Sequence, residues 1–337
     1  MKKLLRMGAV LLGIVLLLVI GAAAFVSTRG IPTYAPPVTT SVAAIEATPV
    51  RVALGEKLVL SSCADCHLNR ETNTLSGQRL PDVPTEFGKI YSANITQDAT
   101  HGIGNWTDGQ LVALLRTGLG PDGRYRVIMP SFVQMSDEDV NSIVAFLRSR
   151  HDWTRPQAVA SAAQEPSFLL KALTNTVMKP TLMPAQAVIA PAPADAVAYG
   201  HYLVVGRYKC YDCHSQDFKT NDAMVPEKSA GYLGGGSAML DREQHTIVTR
   251  NLTMDEDTGL GGWTAAQFGQ AVRYGMAPSG ALHYPMPKYS VMSEEETNAI
   301  WAYLQTVPKL KNATPEDAKA VATRREYCLP RRHFTRS

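Results

Sequence analysis

The chain has 337 residues, 45% hydrophobic and 19% charged, with a formal net charge of +3. That length holds two ordinary domains with their cores, and so small a charge, with no dense basic stretch between the two ends, excludes nucleic acid as a partner. Only 5 residues are cysteine, an odd number that cannot all pair within one chain.

At the start, Lys2, Lys3 and Arg6 precede an uncharged run from Met7 to Val26. Twenty apolar residues in a helix rise about 30 Å, enough to cross a bilayer core, whereas the apolar region of a cleavable signal is about 7–15 residues long. The small residues "AAA" at 22–24 keep cleavage open as the other reading of residues 1–29, but the length favours a retained transmembrane helix through residues 7–26. In both readings the basic residues stay inside and everything after Arg29 is exported. Residues 30–50 then read as a spacer.

The second half of the chain copies the first. At a constant offset of 157, "GIGNWTDGQLVALLRTGLGPDGRYRVIMPSFVQMSDEDVNSIVAFLRS" (102–149) aligns without gaps on "GLGGWTAAQFGQAVRYGMAPSGALHYPMPKYSVMSEEETNAIWAYLQT" (259–306). At the cysteine motifs, "CADCH" (63–67) and "CYDCH" (210–214), the offset is 147, so the second copy holds ten extra residues between its motif and "NLT" (251–253, matching "NIT" at 94–96). A duplicated unit of about 100 residues explains this, and it places domain 1 at 51–150 and domain 2 at 198–308. The Ala/Pro-rich stretch 151–197 reads as a stiff linker, within which "PSFLLKALTNTVM" (166–178) has the apolar clustering of a short helix packed on a domain. The tail, 309–337, shows no clear periodicity and carries the remaining cysteine, Cys328.

Within each copy the elements read as mainly α. A helix, "GEKLVLSSCADCH" or "GHYLVVGRYKCYDCH", carries the cysteine motif at its end. The next starts at a Thr-x-x-Gln capping box, Thr107/Gln110 or Thr264/Gln267. A last helix starts at Ser136 or Ser293 with an acid three residues on, Asp139 or Glu296. It buries Val140, Ile143, Val144 and Leu147, or Ile300, Trp301 and Leu304. No run alternates as a strand does.

Cys-x-x-Cys-His in an exported chain is the attachment signature of c-type haem: two thiols form thioethers to one porphyrin and the adjoining histidine ligates its iron. The motifs predict two covalently attached haem c groups, one on Cys63, Cys66 and His67, the other on Cys210, Cys213 and His214. A zinc site would have to pool the motifs across 147 residues, and a thioredoxin-like redox pair wants a strand that is not visible.

The sixth ligand must come from downstream in each copy. Met135 and Met292 stand one residue before a helix N-cap, where an apolar side chain packs as a staple. Met129 and Met286 lie in irregular, proline-fixed stretches, "VIMPSF" and "YPMPKY", and are the predicted distal iron ligands; His101 and His283 have no counterpart at the offset. With both iron faces occupied, the chemistry is one-electron transfer and no residue is assigned a catalytic role.

The stretch "FGKIYSANITQDATHGIGNWTDGQLVALLRTG" (87–118), followed by "MP" and "MSDEDVNSIVAFLRS", resembles the class I c-type cytochrome domains of the multihaem cytochrome subunits of membrane-bound periplasmic dehydrogenases, of which the alcohol dehydrogenase subunit is the best known. Those subunits commonly carry three haem motifs where this chain has two. The resemblance implies two tandem class I cytochrome c domains behind a single-pass inner-membrane anchor, on the periplasmic side. It implies electrons arriving from a partner dehydrogenase or a quinol-linked donor and leaving toward quinone, a terminal oxidase or a soluble cytochrome. The rival class is a dihaem redox enzyme. A peroxidase needs one releasable iron face, whereas both "MP" sequences are present, and a thiosulfate-oxidising cytochrome would want a cysteine on iron, for which Cys328 is the candidate.

Several residues have plainer readings. Trp106 and Trp263 are expected to pack in the core or at a haem edge, and Arg116 and Arg273 to meet haem propionates or to lie on a solvated helix face. Asn94 and Asn251, in Asn-x-Thr sequences, are expected to make hydrogen bonds near the haem.

Overall fold

The computed structural model describes residues 2–37 and 43–315; the tail from 316, with Cys328, lies outside the described residues. α1 (Lys2–Arg29) buries none of its residues, and among the described residues it is the one helix long and apolar enough to cross a membrane, with a mean hydropathy of 3.0 in its best window. α2 (Pro49–Ser62) starts with proline at its first position behind an N-capping Thr48, and α3 (Ala64–His67) carries the end of the first cysteine motif. β1 (Gly88–Lys89), α4 (Asp108–Thr117) and α5 (Asp137–Arg148) follow, then β2 (Glu165–Pro166) and α6 (Phe168–Thr176). The second copy brings α7 (Ala196–Tyr202), a π-turn over Leu203–Arg207, α8 (Cys210–His214), β3 (Ala238–Leu240), β4 (Thr246–Val248), α9 (Ala265–Tyr274), β5 (Met276–Ala277), β6 (Gly280–Ala281) and α10 (Glu294–Leu304). The strands are short antiparallel pairs, β1 with β2, β3 with β4 and β5 with β6, so helices carry both copies.

The Thr107/Gln110 and Thr264/Gln267 capping boxes form in both directions, and α4 and α9 each end on a left-handed glycine, Gly118 and Gly275. Ser293 and Glu296 make a full box as well, but Ser136 is capped on one side only, because the Asp139 carboxylate is turned elsewhere.

The described chain divides into two compact units, one of Met1–Ala44, Cys66–Ser131 and Asp152–Met183, the other of Ile45–Asp65, Phe132–His151 and the chain from Pro184. In the first unit the segments beside the repeat are fastened to it. Thr33 bridges to Arg124 and the Tyr34 N–H donates to the Gly123 carbonyl at 2.9 Å, so the start of the spacer is pinned. The stretch 151–183 is held in the same way: Thr154 is fully buried, β2 pairs with β1, and Leu170 of α6 is buried with Val83 and Ile90.

In the second unit α2 packs on α5 and α7 on α10. Both crossings depend on a glycine. A Cβ on Gly55 would stand 1.9 Å from the Ser142 carbonyl oxygen, and one on Gly200 would stand 1.9 Å from that of Ala299. These pairs are equivalent in the two copies, yet Gly200 lies two residues further from its motif than Gly55 does. The difference falls at the π-turn: the Tyr208 N–H reaches back five residues to the Leu203 carbonyl, and Lys209, left-handed at φ 52°, then leads into the second motif.

That turn presents Arg207. Its guanidinium donates to both oxygens of Asp139 and to Oε1 of Glu296, and all three side chains are buried. Glu296 also accepts from Lys57 of α2, and the hydroxyl of Tyr202, the counterpart of Lys57, donates to Asp139. The acid of each copy is therefore met by the entry helix of the other.

Candidate functional site

Each cysteine motif sits at the end of its entry helix, and the turn after it sets the histidine. The Nδ1 of His67 lies 2.8 Å from the carbonyl oxygen of Ala93, and the Nδ1 of His214 lies 2.8 Å from that of Arg250. A carbonyl only accepts, so Nδ1 carries the proton and Nε2 carries the lone pair, the tautomer a metal-ligating imidazole needs. Burial lowers both imidazole pKa values, with the carbonyl hydrogen bonds opposing it, and the rings are neutral near pH 7.

Ala93 and Arg250 hold their places through the asparagines that follow them. Asn94 Oδ1 accepts from the N–H and the hydroxyl of Thr96, while its amide donates to the carbonyls of Gln157 and Val159. Asn251 repeats this with Thr253 and sends its amide to the Leu310 carbonyl at 2.6 Å. Both asparagines are almost fully buried with their amides engaged, so the sequons serve the fold and not glycosylation. Gly102 and Gly259 complete the loop: a Cβ on either would lie 2.2 Å from the carbonyl of Thr96 or Thr253. That close approach is the physical content of the "GIG" and "GLG" sequences.

No disulfide joins the four motif cysteines. Cys63 is buried, Cys66 and Cys210 are half-buried, and Cys213 is exposed. Burial, with the neighbouring Cys213, pushes the Cys210 thiol up to about 12. The methionines separate as their surroundings suggest. Met135 and Met292 are fully buried among apolar side chains, whereas Met129 and Met286 stand half-buried in loops. Cys210, Trp263 and Met286 all pack against one cluster containing Leu203, Tyr208 and Tyr289. His101 and His283 are exposed, and His101 pairs with Asp98. Trp106, like Trp263, is half-buried.

The solvated-face reading of Arg116 is corrected: it is 2% exposed, the largest of the fully buried side chains. Its counterpart Arg273 is half-buried, and its buried Nε has no hydrogen-bond partner among the described residues. The donor set fits a covalently held haem: paired cysteines, a neutral histidine with Nε2 open to a metal, a loop thioether downstream and an orphaned cationic N–H for a carboxylate.

Most of the extra length of the second copy falls between His214 and Gly235. The Gly77 and Gly235 N–H groups make the same bond to the carbonyls of His67 and His214, which aligns them across the insertion. Gln134 fastens the added loop by donating to the carbonyls of Ala223 and Met224. Sequence reasoning missed the carbonyls of Ala93 and Arg250, the crossing glycines Gly55 and Gly200, and Arg207. The matched "GEKLVL" and "GHYLVV" starts, with their unequal distances to the cysteines, were the available signal.

Residues 50–147 match the family described as cytochrome c oxidase, cbb3-type, subunit III. The first copy is a cytochrome c domain, and the cofactor of this chain is covalently bound haem c. The chain is similar to the alcohol dehydrogenase (quinone) cytochrome c subunit of Gluconobacter oxydans, 27% identical over 78% of this chain and 56% of that one. It is also similar to the fructose dehydrogenase cytochrome subunit of Gluconobacter japonicus, 28% identical over 78% of this chain and 53% of that one. A diheme cytochrome c-type protein of Cereibacter sphaeroides is 26% identical over 89% of this chain and 98% of its own length. The chain thus spans little more than half the length of the dehydrogenase subunits, and nearly all of the dihaem protein.

Proposed function

We propose that the chain is a membrane-tethered dihaem electron carrier built from two tandem class I cytochrome c domains. The observation that carries this reading is the duplicated histidine setting, the same Nδ1 bond to a backbone carbonyl at 2.8 Å in each copy. One haem would be held by Cys63, Cys66 and His67 together with Met129, the other by Cys210, Cys213 and His214 together with Met286. Haem c, when bound, supplies one-electron iron chemistry whose potential a thioether ligand raises relative to a second histidine. The chain tethers the ring through the cysteines, fixes the imidazole tautomer through Ala93 and Arg250, presents the thioether from a proline-bounded loop, and offers Arg273 to a carboxylate.

With a histidine and a methionine to hold each iron, the chain would pass single electrons and transform no substrate of its own. α1 serves as the single-pass anchor in the inner membrane, with both copies in the periplasm. The donor is a periplasmic or membrane-bound dehydrogenase, in keeping with the names of the similar subunits, and the acceptor is a terminal oxidase or a soluble cytochrome. Mass spectrometry of the purified chain tests the core of this: two covalent haems are expected, one after Cys210→Ser with Cys213→Ser. Met129→Ala and Met286→Ala should each remove half of the red-end charge-transfer band that marks methionine on ferric iron. An unchanged band in both variants overturns the ligand assignment, and rapid peroxide turnover by the intact protein would move it to the enzymes.

A further inference from the structure

α6 stands beside the end of α1 with an apolar face turned outward. Its inner face is anchored, with Leu170 and Thr174 fully buried, while Phe168, Leu169 and Val177 are 52%, 45% and 72% exposed and Leu182, just beyond, is 74% exposed. Within α6 the exposed apolar side chains are Phe168 and Leu169, at adjoining positions in its first turn, and Thr176 extends the Phe168 side at a spacing of four through the half-buried Ala172.

The position of this face is fixed by α1. α6 packs against α1, and the Asn175 side chain donates to the carbonyl of Gly30, the residue immediately after α1 ends, at 2.8 Å. The uncharged run of α1 closes at Val26, so α6 lies level with the place where a spanning helix leaves the hydrocarbon and enters the headgroups. The charge pattern agrees: from Pro166 to Met183 there is no acidic residue, and the two charged side chains are Lys171 and Lys179. Lys179 is occupied in capping the C-terminus of α6, through the carbonyls of Thr174 and Asn175. An apolar face with basic neighbours in the plane of the interface matches what an anionic lipid surface receives.

We propose that the outer face of α6, with Leu182, is seated in the headgroup region of the leaflet from which α1 emerges, and sets how the first unit stands on the membrane. This rests on the reading of α1 as a retained anchor. α1 alone leaves the body free to swivel about one point; α6 adds a second contact beside it. The occupant is lipid and not a partner chain because α6 packs on the helix read as the anchor and the charges within 166–183 are basic only.

The test is photocrosslinking of the full-length protein in nanodiscs of phosphatidylethanolamine and phosphatidylglycerol. A benzophenone amino acid replaces Phe168 or Leu182, with Met276, also exposed at 55%, replaced as the control, and adducts are identified by mass. A thermal melt matching that of the unsubstituted protein shows that each variant is folded. Lipid adducts at 168 and 182 are expected at five-fold or more above the control. Adducts to protein, whether another subunit or a second copy, or yields no greater than the control, overturn the proposal. Carbonate extraction of native membranes separates the two failures: a chain that stays in the pellet without lipid adducts defeats only the α6 contact, whereas release into the supernatant defeats the anchor reading too.

Discussion

Arg207 donates from Nε and Nη2 to the two oxygens of Asp139, at 2.6 and 2.8 Å, a bidentate pair formed inside the protein. A planar guanidinium suits this geometry where a lysine would not. Removing it leaves Asp139 and Glu296 buried without their shared cation. Arg207→Met is therefore expected to cost about 3–5 kcal/mol, read as a lower urea midpoint. A loss below about 1 kcal/mol, the scale of an exposed pair, would show that the pair is not truly desolvated.

The same cluster makes stability depend on pH. Burial acts to raise the Glu296 carboxyl, but the Lys57 hydrogen bond, the Ser293 N–H and the charges of Lys57 and Arg207 outweigh it and hold the pKa below the usual carboxylate range. A group depressed in the folded state contributes stability that is fully present above its unfolded pKa, about 4.3, and is lost as pH falls through the folded value. Unfolding at pH 7, 5, 4 and 3 should show a plateau and then a fall below about 4. In Glu296→Gln that fall should be shallower.

The helix crossings give a matched pair of glycine tests. Gly200→Ala puts a Cβ against the backbone of Ala299 and should cost about 1–3 kcal/mol as overpacking, where helix propensity alone predicts a gain. Gly269→Ala in α9 meets nothing nearer than Thr297 Oγ1 at 3.9 Å and should stabilise by about 0.5–1 kcal/mol. Thermal melts of both variants check the opposite signs.

Asn251→Ala strips the acceptor from the N–H and hydroxyl of the buried Thr253 and the donor from the Leu310 carbonyl. A cost of about 2–3 kcal/mol is expected. Because Arg250, the acceptor for His214, is the adjoining residue, one of two haem midpoints should also move in a redox titration, with the haem count unchanged. A protein that loses stability without either midpoint moving would separate the asparagine from the histidine.

Much of the local structure was legible in the sequence, because caps and apolar periodicity act over three or four residues. The Thr-x-x-Gln boxes and the burial of Val140, Ile143, Val144 and Leu147 follow from such short-range rules. The two cysteine motifs were legible because they repeat the same residue types at the same spacing. Long-range relations were not. That Gly55 meets Ser142, that Asn94 holds residues 157–159, and that Asp139 turns from its own helix cap toward Arg207 are facts of packing across many residues, and no local pattern announces them. The linker composition likewise concealed a fully buried Thr154, whereas the apolar clustering of 166–178 had pointed to the packed helix that buries Leu170.

The two-residue lengthening at the π-turn has a consequence for how such a protein arises. Asp139 and Glu296 occupy equivalent places, so the duplication brings two acids to one buried joint, where Arg207 donates to both. The turn that carries Arg207 is where the two entry helices differ in length. Each half then lacks something that only the other supplies, which turns a gene duplication from a redundancy into a dependence.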